Sequence, residues 1–188
     1  KDTNCKIYRG DLDNVYKRFL NFYKKLNDDD IVVRVTGDNI FVDHNLINEV
    51  VNYFKKNNYN YTSIDRKKSK LPYGISVEVF NLRTFRKWNA ISNYEEEHVT
   101  PRILKFEKNI GFFQKKNLKN FYNLSCTMDT IFDYHKIKLC FEKSKSVKTN
   151  YVDLCNILKN IKKREINNKN ETYSKIIIGT AQFDGKYG

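Results

Sequence analysis

IVVRVTGDNIFVD, residues 31–43, is the stretch on which the fold turns. Ile31, Val32, Val33 and Val35 form a short β-branched run, long enough for a strand buried on both faces. Gly37, Asp38 and Asn39, which form turns and break strands, end it. Open α/β sheets hold ligands where a buried strand runs out into such a turn, which makes Asp38 a candidate site residue. The alternative is an ordinary strand-turn in which Asp38 caps its own backbone.

Working outward, Leu12, Val15, Tyr16, Phe19, Leu20 and Tyr23 recur at helical spacing before the strand, with Asp11 or Asp13 as cap. Residues 6–10, KIYRG, read as a short strand or its exit. The acidic turn Asp28–Asp30 reads as a solvated loop rather than a metal site. After the strand, Leu46, Ile47, Val50, Val51 and Phe54 mark a second helix, capped by Asp43 or Asn45, and residues 59–64 a second strand. Strand, helix and strand in that order imply parallel strands joined by a right-handed crossover, and hence a doubly wound sheet.

The basic loop 65–74 leads into ISVEVF, residues 75–80, whose alternation puts Ser76, Glu78 and Phe80 on one face and Ile75, Val77 and Val79 on the other. Glu78 is therefore an acid among apolar neighbours, facing either solvent or a pocket. Asn81 caps a helix carrying Leu82, Phe85, Trp88 and Ile91. In YEEEHVTPRILKF, residues 94–106, Pro101 ends or restarts a helix and His98 is either a structural hydrogen-bonder or a binding residue. Residues 110–115 and 119–127 read as two further strands, and a helix follows through Ile131, Tyr134, Ile137, Lys138 and Phe141. Asp129, like Asp38, thus stands where a strand meets a helix. The two carboxylates suit one Mg²⁺, a hard cation that takes one or two carboxylates and leaves its other positions to water and phosphate. Asp129 or Thr130 also serves as the helix N-cap.

The chain has 188 residues, enough for one domain and a fragment, and no apolar run approaches a membrane span. It starts at Lys1 without an initiator Met or signal peptide, so something upstream is expected to be missing. Cys5, Cys126, Cys140 and Cys155 form no CxxC pair, which fits reduced thiols in a cytoplasm. The formal charge of +13 is scattered among Asn, Tyr and Ile and reads as solvated faces rather than a nucleic-acid groove.

RVTGD with VDHNLINEVV, then PYGISVEVF, YEEEHVTPRI and LSCTMDTIFDYHKI, follow the order and spacing of the cytidylyltransferases of spore-coat polysaccharide biosynthesis type. These are similar to the enzymes that activate sialic acids and Kdo with CMP. The opening KIYRGDLDNVYKRF resembles the same family, and the likeness spans residues 7 to about 143. It implies a Rossmann-like α/β/α sandwich of the nucleotide-diphospho-sugar transferase type, N-terminally truncated. It also implies attack of a sugar hydroxyl on the α-phosphate of CTP with release of pyrophosphate. By this resemblance Asp38 and Asp129 fall on the metal-binding, catalytic aspartates, and Arg34 and Thr36 on the nucleotide end of the sheet. Glu78, His98 and Thr100 fall near the sugar pocket, with Mg²⁺ as cofactor and a homodimer as the expected assembly. A nonulosonic acid is the expected sugar, with Arg66, Lys67 and Lys68 available to its carboxylate.

Two features depart from the family. Its opening phosphate-binding loop is missing, and Ser76 and Glu96 stand where Asp and Arg are expected. Residues 144–173 read as a helix and polar linker, and 174–188, KIIIGTAQFDGKYG with its neighbours, resembles the start of an aldo-keto reductase domain fused to the first. The competing functions are a glycosyltransferase of related fold, which needs an Asp-x-Asp type motif, and a basic nucleic-acid-binding module.

Overall fold

In the computed structural model, which describes residues 7–161 apart from 117, 118 and 147, the alternation at residues 75–80 separates two cores. Ile75, Val77 and Val79 enter one core with Phe41, Phe121 and Cys126, and Phe80 enters the other. Successive residues of an extended chain point to opposite faces, so a single strand, β3 (Glu78–Asn81), feeds both layers. Helices therefore cover both faces of a central sheet, the α/β arrangement expected.

On the first face α2 (His44–Lys56) buries Leu46, Val50 and Phe54, and α6 (Ile131–Ser144) buries Ile137 and Cys140. α7 (Tyr151–Asn160), the helix expected within 144–173, adds Tyr151, Leu154, Cys155 and Leu158 to the same core. Asp43 caps α2 as expected, accepting from the Leu46 N–H at 2.9 Å, and its other oxygen accepts from the Tyr151 N–H at 3.1 Å. One carboxylate thus ties the first turns of two helices together.

On the second face lie α1 (Val15–Phe22), a 3-10 turn at Tyr23–Lys25, α3 (Leu82–Lys87), α4 (Asn93–His98) and α5 (Pro101–Phe106). Their core is aromatic: Phe85 stacks on Tyr16 at 4.6 Å and on Phe80 at 5.5 Å between ring centroids. Asn14, not Asp11 or Asp13, caps α1, and Asp11 instead accepts from the Asn14 N–H at 3.0 Å. Asn81 caps α3 as expected. Pro101 opens α5, where its missing N–H costs nothing.

The sheet order is β1-β3-β2-β4, with β1 (Ile31–Arg34), β2 (Tyr61–Ile64) and β4 (Ile110–Phe113). β2 and β4 are parallel, whereas β3 runs antiparallel to both its neighbours. β1 and β2 therefore do point the same way, but β3 lies between them. The doubly wound, all-parallel expectation gives way to a mixed sheet because the connection 65–77 carries no helix, and the chain returns antiparallel.

Three local expectations fail. β1 is not buried on both faces: Val32 is buried, while Ile31 and Val33 remain 40% and 38% exposed. α2 lies over β2, β3 and β4, which leaves that side of β1 partly open. Residues 7–10 form no strand. Nor do residues 119–127, because their polar groups go to separate loops: the Phe121 N–H to Lys70, Ser125 to a bridge with Tyr73, and Thr127 to a bridge with Asn39. Cys5, the rest of the linker and the reductase-like end at 174–188 lie outside the described residues. No described helix is long and apolar enough to cross a membrane.

Candidate active site

The end of β1, the start of β3 and the turn between α4 and α5 open onto one cavity of about 400 Å³. Arg34, Thr36, Asp38, Glu78, His98 and Thr100 all line it. Asp129, the remaining candidate, is exposed and is not among its lining residues.

The inner end is a polar network built on Glu78, in which Arg34 Nε stays buried without a partner among the described residues. Arg34 and Glu78 face each other in the β1–β3 register, and Arg34 Nη1 donates to Glu78 Oε2. Glu78 Oε1 accepts from the hydroxyls of Tyr61 and Thr100, each at 2.6 Å. Burial, and then the Glu78 charge beside it, push the Tyr61 hydroxyl well above its ordinary value, so it stays a proton donor. The side chains of Arg34 and Glu78 are 16% and 14% exposed. Glu78 is thus neither a solvent-facing residue nor a loose pocket acid, but the acceptor that fixes three donors.

The turn that carries His98 and Thr100 is strained. Val99 between them has φ +73° and ψ −50°, and the Thr100 N–H donates across it to the His98 carbonyl at 2.9 Å. This is a γ-turn of the positive-φ hand, rare for any residue and costly for a β-branched one. Burial of Val99, 1% exposed, and the bond from Thr100 to Glu78 hold it. His98 remains exposed, with the Tyr94 ring edge-on at 4.4 Å.

At the outer end the backbone segments that carry Asp38 and Asp129 are joined. Asn39 forms an isolated antiparallel bridge with Thr127, and the Met128 N–H donates to the Asp38 carbonyl at 3.2 Å. Gly74, at φ +93°, permits this approach, since a Cβ there would meet the Thr127 nitrogen at 2.6 Å. Thr130, in a capping box with Asp133, caps α6, so Asp129 has no capping duty. Neither the Asp38 nor the Asp129 carboxylate is bonded to another described residue. The acid turn at 28–30 is committed elsewhere: Asp28 pairs with Arg86, and Asp29 with Arg83 at 2.8 Å. Asp30 accepts from the Asn27 N–H at 2.7 Å.

A family model described as cytidylyltransferase matches residues 3–175. The chain belongs to the cytidylyltransferase family. It is 27% identical over 144 residues to the spore coat polysaccharide biosynthesis protein SpsF of Bacillus subtilis, covering 74% of this chain and 58% of that protein. An uncharacterized protein of Methanocaldococcus jannaschii is 33% identical over 156 residues, covering 81% of this chain and 61% of that one. The chain thus spans about three-fifths of the length of these curated relatives. A solved cytidylyltransferase structure from Leptospira borgpetersenii superposes with a TM-score of 0.71 at 27% identity, over 88% of this chain and 70% of that one.

For a cytidylyltransferase-family site, the donor set at the outer end fits Mg²⁺. Among the described residues no group of three His, Cys, Asp or Glu side chains could hold a metal ion. Two free carboxylates beside an open cavity suit a cation completed by water and substrate phosphate. Of the three basic residues at 66–68, Arg66 lines the cavity. Its Nη1 donates to the Tyr122 carbonyl at 3.0 Å and its guanidinium lies 4.0 Å from the Tyr122 ring. Lys68 instead pairs with Asp65 at 3.6 Å. Sequence reasoning missed Tyr61 and Asn39. Tyr61 reads as one more strand aromatic until the β2–β3 register is known, and Asn39 as a turn residue until its amide is seen donating to Ser76 Oγ at 2.9 Å.

Proposed function

We propose that the protein transfers CMP from CTP to a sugar hydroxyl, releasing pyrophosphate, with Mg²⁺ held by Asp38 and Asp129. The observation that supports this reading is the convergence of Arg34, Thr36, Asp38, Glu78, His98 and Thr100 on one cavity in a chain of the cytidylyltransferase family. The bound cation supplies charge neutralisation on the α-phosphate and orients the leaving pyrophosphate. The chain's own residues do the rest. Thr36 offers a hydroxyl to the nucleotide. Arg34 is immobilised by Glu78, so its charge is part of the cavity's field and does not reorganise during reaction. Arg66, restrained by Tyr122 and with no carboxylate partner among the described residues, meets the carboxylate of an acidic, nonulosonic-type sugar.

The setting that goes with this reading is surface polysaccharide biosynthesis, as the name of the Bacillus relative has it, in the cytoplasm and as a homodimer. The test is pyrophosphate release from CTP with N-acetylneuraminate or Kdo as acceptor. Release that needs Mg²⁺, prefers CTP to UTP and collapses in Asp38→Asn supports the proposal. Release that ignores the base or the cation contradicts it.

A further inference from the structure

We propose that His98 is the catalytic base that takes the proton from the attacking sugar hydroxyl, and that the Val99 γ-turn and the Thr100–Glu78 bond are its positioning device. The inference rests on the nucleotidyl-transfer reading above. Deprotonation needs a group that lines the cavity and is free to accept a proton.

Elimination leaves one such group among the described lining residues. Both oxygens of Glu78 are occupied by Arg34, Tyr61 and Thr100. Asp38 stands at the cation end. Tyr73 and Tyr94 also line the cavity, but a neutral phenol is a poor proton acceptor. His98 lines the same cavity, exposed, and no hydrogen bond ties its ring; the Tyr94 ring lies against it. The charged groups that line the cavity with it are Arg34, Asp38, Arg66 and Glu78, and its own helix carries Glu95, Glu96 and Glu97, of which Glu95 is paired with Arg102 of α5 at 3.6 Å.

The backbone supplies an independent observation. A buried β-branched residue at φ +73° is a cost that persists only where the surroundings over-determine it, and such residues cluster at sites whose geometry matters. Here the strain aims the cavity residues on either side of Val99 differently. Thr100 turns inward to Glu78, while His98 stays at the cavity surface. The step balances simply. The sugar oxygen bonds to the α-phosphorus as the bond from that phosphorus to the bridging oxygen breaks, and its electron pair leaves with pyrophosphate. The hydroxyl proton passes to the unprotonated imidazole nitrogen.

The experiment is a pH–rate profile of pyrophosphate release from CTP, with N-acetylneuraminate and Kdo as acceptors, in the full-length natural protein and its His98→Asn and Thr100→Val variants. A base must be unprotonated to act, so the wild-type rate should fall along an acidic limb of the profile. In His98→Asn that limb should vanish and kcat should drop by roughly 10²- to 10⁴-fold, with CTP affinity and melting temperature unchanged. Thr100→Val should lower kcat yet keep the limb, because the base is present but misplaced. A His98→Asn variant that keeps the limb and kcat overturns the proposal while leaving the transferase reading intact. Absence of sugar-dependent release from the wild type overturns both.

Discussion

The two ends of the cavity hold carboxylates in opposite states. Glu78, at the inner end, accepts from three side chains and is 14% exposed; Asp38 and Asp129, at the outer end, accept from no described residue. A buried charge has to be compensated within the fold, and Glu78 is. A carboxylate held beside a cavity with no partner is compensated only when something else arrives. The inner end is therefore framework, and in the proposed function the outer end is the part that receives ligand.

The largest expected effect breaks this contrast at the ligand end. Asp38→Asn should cost roughly a thousandfold in kcat/KM, the equivalent of about 4 kcal/mol of transition-state stabilisation. It should leave the melting temperature nearly unchanged, since the carboxylate holds nothing in the fold. Steady-state kinetics beside thermal denaturation checks both halves. The reverse holds at the inner end. Glu78→Gln leaves the mostly buried Arg34 without its counter-charge, and should destabilise the protein by about 3 kcal/mol in denaturant titration.

Gly74→Ala sharpens the comparison by moving one end only. The residue sits at φ +93° and its Cβ would press on the Thr127 backbone, so a stability loss of about 2 kcal/mol is expected. Weaker cation-dependent CTP binding should accompany it, because the segment bearing Asp129 has to shift. Urea midpoints and CTP titration measure the two effects.

The smallest effect lies outside the cavity. Burial alone would raise the Glu107 carboxyl. Bonds from the Trp88 indole, the Asn109 N–H and the Asn60 amide, with Lys87 nearby, outweigh that and bring it down to about 2. A carboxyl lowered in the folded state stabilises above its unfolded value and loses that contribution as pH falls. Stability should therefore decline between about pH 4.5 and pH 2, and Glu107→Gln should flatten that part of the curve. Melting temperature against pH tests it.

Local signals in the sequence were read correctly where a neighbour in sequence is also the physical partner. Asp43 capping α2, Asn81 capping α3, Pro101 opening α5 and the alternation that splits Ile75, Val77 and Val79 from Phe80 are all of this kind. What failed depends on distant chain. The placement of β3 between β1 and β2 is decided by the connection 65–77, and the partly open face of β1 by where α2 lies. Residues 119–127 have a strand's composition but bond to two different loops. At the site, the resemblance singled out seven residues, and the structure puts six on one cavity. That Glu78 is saturated while Asp38 is free was invisible, since Tyr61 and Thr100 reach it from 17 and 22 residues away.

The central claim is that Asp38 and Asp129 share one cation, completed by the nucleotide. Calorimetric titration of CTP with and without Mg²⁺ tests it most directly, on the wild type, Asp38→Asn, Asp129→Asn and the double variant. Mg²⁺ should tighten CTP binding in the wild type, either substitution should remove most of this gain, and the double variant should lose little more than either single one. Independent, additive losses, or a Mg²⁺ effect that survives both substitutions, would contradict it.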